Sequence, residues 1–236
     1  MSLSGAYFSR RLLKAIDSWQ AGSVGKNKKA KQIASILKSE PVDSYYTSCG
    51  EVCFRRSVIA KQTIKQLFFD FQLPEETSSW TTRSDVAASF KGGPPDPPTP
   101  GIIFRHQPKP NEVILNLSRL MTHEKFWPSV EYWETEGSDF GKGLRKWAAT
   151  QHEVILKVAS VPHNEFYALG SNAAQSVLGG AVGDGVKIIG DTPLTVNEIS
   201  SAFTDAGLAT KKWIFDESAK RAYENWVKRV LTRLEV

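Results

Sequence analysis

The tetrapeptide Glu153-Val154-Ile155-Leu156 (EVIL) decides the fold class. The same tetrapeptide recurs at residues 112–115. A similar apolar run, GIIF, occupies residues 101–104. Short apolar runs rich in β-branched residues predict buried strands. We therefore expect these three runs to be strands of one mainly antiparallel sheet. A further strand is predicted to end at residues 52–55 (VCFR).

Helical periodicity is found on both sides of these runs. Apolar residues recur at helical spacing over residues 7–20 and 28–39. The second of these helices is expected to end before Pro41, because the residue before a proline avoids the helical conformation. A third helix is predicted over residues 57–72 and a short one ending at Phe90. Helices around an antiparallel sheet indicate the α+β class.

The pattern divides the chain into three parts. Residues 1–42 form a helical N-terminal segment, and residues 43–190 form the core that contains the predicted strands. Residues 191–236 form a helical C-terminal extension, where a capping-box pattern at residues 195–198 precedes a final helix after Asp216.

Composition excludes several classes of protein. The chain has 236 residues, of which 41% are hydrophobic and 23% charged, so it is not of a disordered or low-complexity type. No apolar run reaches the roughly 18 residues that a membrane span needs. The N-terminus lacks an apolar signal segment, which predicts a cytoplasmic protein rather than a secreted one.

The cysteines and the net charge give only modest information about metals and partners. Cys49 and Cys53 are the two cysteines, and four scattered histidines do not complete a zinc site with them. We therefore expect no metal and two ordinary thiols in a reducing compartment. The net charge of +5 mildly favours a polyanionic partner, although each lysine cluster is equally well explained as a solvated helix face.

Three short segments together carry the functional signal. Phe54-Arg55 ends a predicted strand, residues 79–81 (SWT) precede residues 86–90 (VAASF), and Gln151-His152-Glu153 opens another strand. In this order they resemble the Arg-Ser-Glu class of mono-ADP-ribosyltransferases. That family has an aromatic-Arg pair, then Ser-Thr-Ser with a following Val-Ala-x-x-Phe helix, then Gln-x-Glu or Glu-x-Glu. The resemblance covers residues 45–160.

The departures from the family pattern are Trp80 in place of Thr and Thr81 in place of the last Ser. Thr81 keeps the hydroxyl, so the change conserves that chemistry. The resemblance implies a split, mainly antiparallel sheet that holds NAD, used as a co-substrate, in a central cleft. It further implies transfer of ADP-ribose to a macromolecule with release of nicotinamide.

The residue types suit this reaction. Cleavage of the N-glycosidic bond creates an oxocarbenium-like ribosyl centre, and a nearby carboxylate stabilises its positive charge, the role expected of Glu153. A guanidinium matches phosphate oxygens, the role expected of Arg55. Ser79 is expected to orient Glu153, and Trp80 or Phe90 to stack on the nicotinamide.

The acceptor is predicted from the segment before Glu153. The resemblance implies that Gln151, rather than Glu, goes with amide- or amine-bearing targets such as an asparagine or a nucleobase. Residues 137–150 are the expected recognition loop, where Arg145 and Trp147 would contact the acceptor. A nucleic acid acceptor is slightly favoured over a protein. Such compact transferases resemble toxins and phage or anti-phage factors, which implies a possible antitoxin or immunity partner.

Each residue also has an ordinary structural interpretation. Arg55 can be an ion-pair partner, with Arg56 as a competing candidate, and Ser79 can be a turn or cap residue. Glu153 can be a charge at a strand end, and Glu112 opens an identical tetrapeptide but follows Pro-Asn. Two further functional hypotheses stay open. One is a non-catalytic module that binds NAD, and the other is an interaction protein whose motifs are accidental.

Overall fold

The computed structural model describes residues 6–22, 24–58, 70–95, 101–136, 140–147, 150–170 and 213–215. Within them the chain is a mixture of helices and strands, and the strand pairs with a defined register are antiparallel. This agrees with the predicted α+β class and its mainly antiparallel sheet.

The elements follow one another in a mixed order along the chain. The helices are α1 (Arg10–Ala21), α2 (Lys26–Ser39), α3 (Ser84–Ser89), α4 (Leu117–Leu120), α5 (Phe126–Glu134) and α6 (Lys142–Trp147). The strands are β1 (Cys53–Val58), β2 (Phe71–Gln72), β3 (Thr77–Thr81), β4 (Gly101–His106), β5 (Val113–Asn116), β6 (Glu153–Lys157), β7 (Ser160–Val161), β8 (Phe166–Gly170) and β9 (Trp213–Phe215).

The chain divides into two compact units. The first unit comprises Met1–Cys53, Leu73–Val86 and Gln107–Ala159, and the second comprises Phe54–Gln72, Ala87–His106 and Ser160–Val236. The first contains strands in the order β5-β6-β3, and the second contains the order β1-β4-β8-β9 and the pair β2-β7. The predicted boundary at residue 190 and the predicted C-terminal helices lie outside the described residues.

Helix α1 is the centre of the first unit's hydrophobic core. The Ser9 hydroxyl accepts from the Leu12 amide at 3.1 Å and so caps the helix. Leu13, Ile16 and Trp19 recur at helical spacing and are fully buried. They pack with residues of α2, α4, α5 and β6 in one cluster, so α1 lies against the sheet face that bears Ile155.

The second unit has smaller described clusters. Phe54 of β1 contacts Tyr167 of β8, with ring centroids 4.9 Å apart. The Trp213 indole of β9 donates to the Ala88 carbonyl at 2.7 Å. These contacts join β1, β8, β9 and α3 around a core that includes Ile103.

Most predicted elements within the described residues are confirmed, and one is wrong. The strand predicted to end at Arg55 is β1, which continues to Val58, so Arg55 lies within the strand and not at its end. The helices at residues 7–20 and 28–39 are α1 and α2, and α2 ends at Ser39 as the Glu40-Pro41 pair predicts. The helix predicted over residues 57–72 is wrong at both ends, which belong to β1 and β2.

The reason is that long-range pairing overrides local periodicity. Phe71 pairs with Val161 of β7 and packs against the Phe104 ring at 5.0 Å. Residues 59–69 lie outside the described residues.

The two thiols lie side by side. Cys49 and Cys53 are buried and not disulfide-bonded, with their Sγ atoms 3.6 Å apart. Their hydrogen bond lowers the pKa of Cys49 and raises that of Cys53. The part of the chain that the structure describes contains no group of three or more potential metal ligands. None of its described helices has the length and apolar character that crossing a bilayer requires.

Truncation of the α2 core face tests this packing. Ile33 is fully buried, so Ile33→Ala is expected to lower the free energy of unfolding by about 2–5 kcal/mol. Val24, which is 85% exposed, provides the control, and Val24→Ala is expected to change it by less than about 0.5 kcal/mol. Urea denaturation measures both, and equal losses would contradict the packing.

Candidate active site around Glu153

Glu153 is the first residue of β6, and its side chain is buried in the first unit, with 4% of the residue exposed. Its Oε1 accepts from the Trp19 indole Nε1–H at 2.7 Å. Its Oε2 accepts from the Gln20 Nε2–H at 3.1 Å. A buried carboxylate is tolerated only when hydrogen bonds replace its hydration, and here both donors come from the last turn of α1.

The Trp19 indole is held in place from several sides. The residue is fully buried in the α1 core. The Lys26 ammonium lies 3.8 Å from the centroid of its ring and also donates to the Trp19 carbonyl at 2.8 Å. A cation over an indole face is a favourable contact, and the Nε1–H is therefore presented to Glu153 in a fixed direction.

The two polar atoms of the Gln20 side chain differ in their hydrogen bonding. The residue is 8% exposed, and its Nε2 is used by Glu153. Its Oε1 is buried, and no described residue donates a hydrogen bond to it. Buried polar atoms nearly always have a hydrogen-bond partner, so this oxygen is an exception among the described residues.

The register of β3 and β6 decides which predicted residues share a face with Glu153. Thr81 lies directly opposite Glu153, and Ser79 lies opposite Ile155. Because side chains alternate along a strand, Ser79, Thr81 and Glu153 are on one face. Trp80 is on the other face, is 2% exposed and donates to the Ser78 hydroxyl at 3.1 Å. The structure therefore does not bring the Trp80 ring to the face that bears Glu153.

Glu112 occupies a different environment despite its identical tetrapeptide. Its carboxylate accepts from the Lys109 amide at 2.8 Å in an exposed turn before β5. Glu112 is half-buried, whereas Glu153 is buried. The two glutamates therefore differ in burial and in the kind of donor that they contact.

The backbone between Gln151 and Glu153 is strained. His152 has φ = +44°, a left-handed conformation that few residues other than glycine adopt. Its carbonyl accepts from the Thr82 amide at 3.2 Å, which continues the β3–β6 pairing. Strained residues are over-represented at functional sites, and this one separates the half-buried Gln151 from the buried Glu153.

The predicted recognition loop contains helix α6. Arg145 makes a two-pronged ion pair with Glu134 of α5, with N–O distances of 2.8 and 2.6 Å, and this pairing lowers the pKa of Glu134. Its guanidinium also lies 5.6 Å from the Trp127 ring centroid. Trp147 is the last residue of α6, and its side chain lies outside what the structure describes.

Helix α6 is attached to α1 through one carboxylate. Asp17 Oδ1 accepts from the amides of Gly143 and Leu144 at 2.8 and 3.0 Å. A Cβ atom at Gly143 would lie 2.7 Å from the Asp17 carbonyl oxygen, so only glycine permits this approach. The same turn of α1 therefore contacts both the predicted recognition segment and Glu153.

Two predicted residues belong to the second unit. Arg55 is half-buried in β1, and the neighbouring Arg56 donates from its Nε to the Gly93 carbonyl at 3.1 Å. Burial lowers the pKa of Arg56. Phe90 follows α3 and is 43% exposed.

A pocket of about 300 Å³ lies in the first unit at the beginning of α1. It is lined by aromatic and acidic residues, among them Tyr7, Tyr46 and Glu40. None of the residues predicted to bind NAD lines it. It therefore adds nothing to the site around Glu153.

Comparison of the chain with protein-family models, curated proteins and solved structures found no match. Any functional proposal therefore rests on the residues described above.

Sequence reasoning missed Asp17, Trp19 and Gln20. A weak signal was present, because Gln20 falls on the same helical face as Leu13, Ile16 and other buried residues. A polar residue at an apolar position of a helix indicates a buried hydrogen bond. The pattern does not show which distant residue is the partner.

The contacts of Glu153 predict a stability difference between the two glutamates. Glu153→Ala leaves the Trp19 and Gln20 donors unsatisfied in the core. It is expected to lower the free energy of unfolding by about 1–3 kcal/mol more than Glu112→Ala, because Glu112 is only half-buried and its hydrogen bond with the Lys109 amide is exposed. Urea denaturation followed by tryptophan fluorescence compares them. Equal losses would show that the buried contacts contribute little.

Proposed function

We propose that the chain is a NAD-dependent mono-ADP-ribosyltransferase whose central residue is Glu153. One observation carries the proposal: the carboxylate that the Gln-x-Glu resemblance singles out is the one held by two donors, opposite Thr81 and directly after a strained residue. Glu112, which opens the same tetrapeptide, follows Pro110-Asn111, and its carboxylate accepts from the Lys109 amide in the turn before β5.

The proposed chemistry breaks the bond between C1′ of the ribose and the nicotinamide nitrogen. The bonding electron pair leaves with nicotinamide, which becomes neutral, and positive charge develops on the ribosyl centre. Glu153 stabilises that charge and accepts from a ribose hydroxyl. The acceptor then attacks C1′ through a nitrogen and loses a proton to solvent.

The other predicted residues are assigned by position. Ser79 and Thr81 lie on the Glu153 face and are expected to contribute hydroxyl groups near the nucleotide. Gln151 precedes the strained residue and is expected to position the acceptor. The roles expected of Arg55, Trp80 and Phe90 in binding NAD stay predictions from the resemblance.

Only the chemical class of the ADP-ribose acceptor is proposed. The net charge of +5 and the exposed Lys28 and Lys31 of α2 favour a nucleic acid over a protein. Arg145 can contact an acceptor only if its ion pair with Glu134 opens or if it uses its remaining N–H groups. An asparagine-bearing protein is the alternative target. A role as a toxin or phage-related factor in the cytoplasm, with a neutralising partner, completes the proposal.

A second candidate function is supported by the burial of Glu153. With 4% of the residue exposed and both oxygens bonded to α1, the carboxylate also suits a purely structural role that fixes α1 on the sheet. The chain would then be a non-catalytic module. Glu153→Gln separates the two roles, because it keeps the shape and one acceptor for Trp19 but removes the charge.

Nicotinamide release from NAD tests the proposal with purified protein alone and then with RNA, DNA or cell lysate. Glu153→Gln is expected to lower the rate about 10²–10³-fold, because it removes transition-state stabilisation. Glu112→Gln is the matched control and is expected to keep the parent rate. Thermal melting of each variant confirms that the fold is retained.

Two outcomes would contradict the proposal. One is a Glu153→Gln protein that releases nicotinamide at the parent rate. The other is a folded parent that neither releases nicotinamide with any acceptor nor binds NAD. Salt dependence then separates acceptor classes, because nucleic acid contacts weaken steeply as salt rises.

A further inference from the structure

We propose that the last turn of α1 is part of the active site, with Trp19 as a positioning residue for Glu153 and Gln20 as an acceptor for a ribose hydroxyl of the bound nucleotide. This inference rests on the proposed function and adds two residues that the resemblance does not include.

The Trp19 indole fixes the direction of the Glu153 carboxylate. The hydrogen bond from the Trp19 indole to Glu153 is short, at 2.7 Å. The indole ring is fully buried, and the Lys26 ammonium lies 3.8 Å from its centroid. A carboxylate that stabilises a transition state must be held within a fraction of an ångström of the productive geometry. Trp19 meets this requirement, because it cannot shift without disrupting the α1 core.

The Glu153 carboxylate keeps the capacity to accept further hydrogen bonds. An ionised carboxylate offers about four acceptor positions, and the described residues fill two of them. Each oxygen can therefore accept one more hydrogen bond. Glu153 is only 4% exposed, so a ribose hydroxyl reaches these acceptor positions when the side chains that cover the carboxylate move aside, while Trp19 and Gln20 keep their hydrogen bonds.

The Gln20 Oε1 atom is a second acceptor near the Glu153 carboxylate. The amide nitrogen of the same group is bonded to Glu153 Oε2, which places Oε1 beside the carboxylate. This oxygen is buried and no described residue donates to it. A ligand that reaches the carboxylate is therefore next to a second acceptor that needs a donor.

The nature of the ligand follows from this pair of acceptors. A vicinal ribose diol carries two hydroxyl donors on neighbouring carbons, one for the Glu153 carboxylate and one for Gln20 Oε1. A phosphate is excluded at this position, because it offers acceptors and negative charge where the site already has both. The site is thus suited to the ribose and not to the pyrophosphate.

Three variants test the inference in the nicotinamide-release assay. Trp19→Phe keeps the ring and removes the donor, and it is expected to lower kcat about 10-fold or more with little change in KM. Gln20→Met keeps the length and removes both hydrogen-bonding atoms, and it is expected to raise KM for NAD. Trp133→Phe is the control, because it loses an indole hydrogen bond at 3.0 Å to the Phe8 carbonyl elsewhere in the same unit.

A substrate analogue makes the Gln20 assignment specific. The parent is expected to discriminate against NAD analogues that lack the 2′- or the 3′-hydroxyl of the nicotinamide ribose. For one of these analogues, the Gln20→Met protein should have the same kcat/KM as it has for NAD. The reason is that the missing hydroxyl is the one that Gln20 binds, so removing either partner removes the same interaction. A structural role for Gln20 would instead lower kcat/KM equally for NAD and for both analogues.

The results separate this inference from the function on which it rests. Release by the parent, with Trp19→Phe and Gln20→Met both matching Trp133→Phe, would overturn the inference and leave the function standing. If the Gln20→Met protein discriminates against both analogues as strongly as the parent does, the Gln20 assignment is overturned. This holds even if Trp19→Phe lowers kcat. A folded parent without release or NAD binding would overturn the proposed function and the inference together.

Discussion

The hydrogen bond from the Trp19 indole to the Glu153 carboxylate joins two segments 134 residues apart in the chain. It is the constraint on which the first unit depends, because a buried carboxylate without donors would be strongly destabilising. Apolar packing holds the buried face of α1 in the core but has no directional requirement of its own. The directional contacts of Trp19 and Gln20 with one carboxylate select a single position for the helix.

The same helix turn carries a second constraint. Asp17 caps the first amides of α6, and Gly143 allows the two backbones to approach closely. Helix α6 precedes Gln151 and Glu153 by only a few residues. The segment expected to recognise the acceptor and the carboxylate expected to act on NAD are therefore held by one element, which gives a structural reason for the N-terminal helix in the proposed enzyme.

The sequence predicts the elements well and their contacts poorly. The EVIL runs, helices α1 and α2 and the end of α2 at Ser39 follow from local periodicity and from Pro41. The face on which Trp80 lies depends on strand register, and the β2 strand at residues 71–72 depends on pairing with β7. The contact of Trp19 with Glu153 depends on helix docking, which no local pattern encodes.

The indole N–H of Trp19 provides the most direct measurement, because its ¹H–¹⁵N resonance reports the hydrogen bond and the site together. The resonance should shift in Glu153→Gln relative to the parent, and it should shift again when NAD is added to the parent. The Trp133 resonance should be unaffected in both comparisons. A Trp19 resonance that is unchanged by the substitution and by saturating NAD would contradict the account that Glu153, held by α1, is where the nucleotide binds.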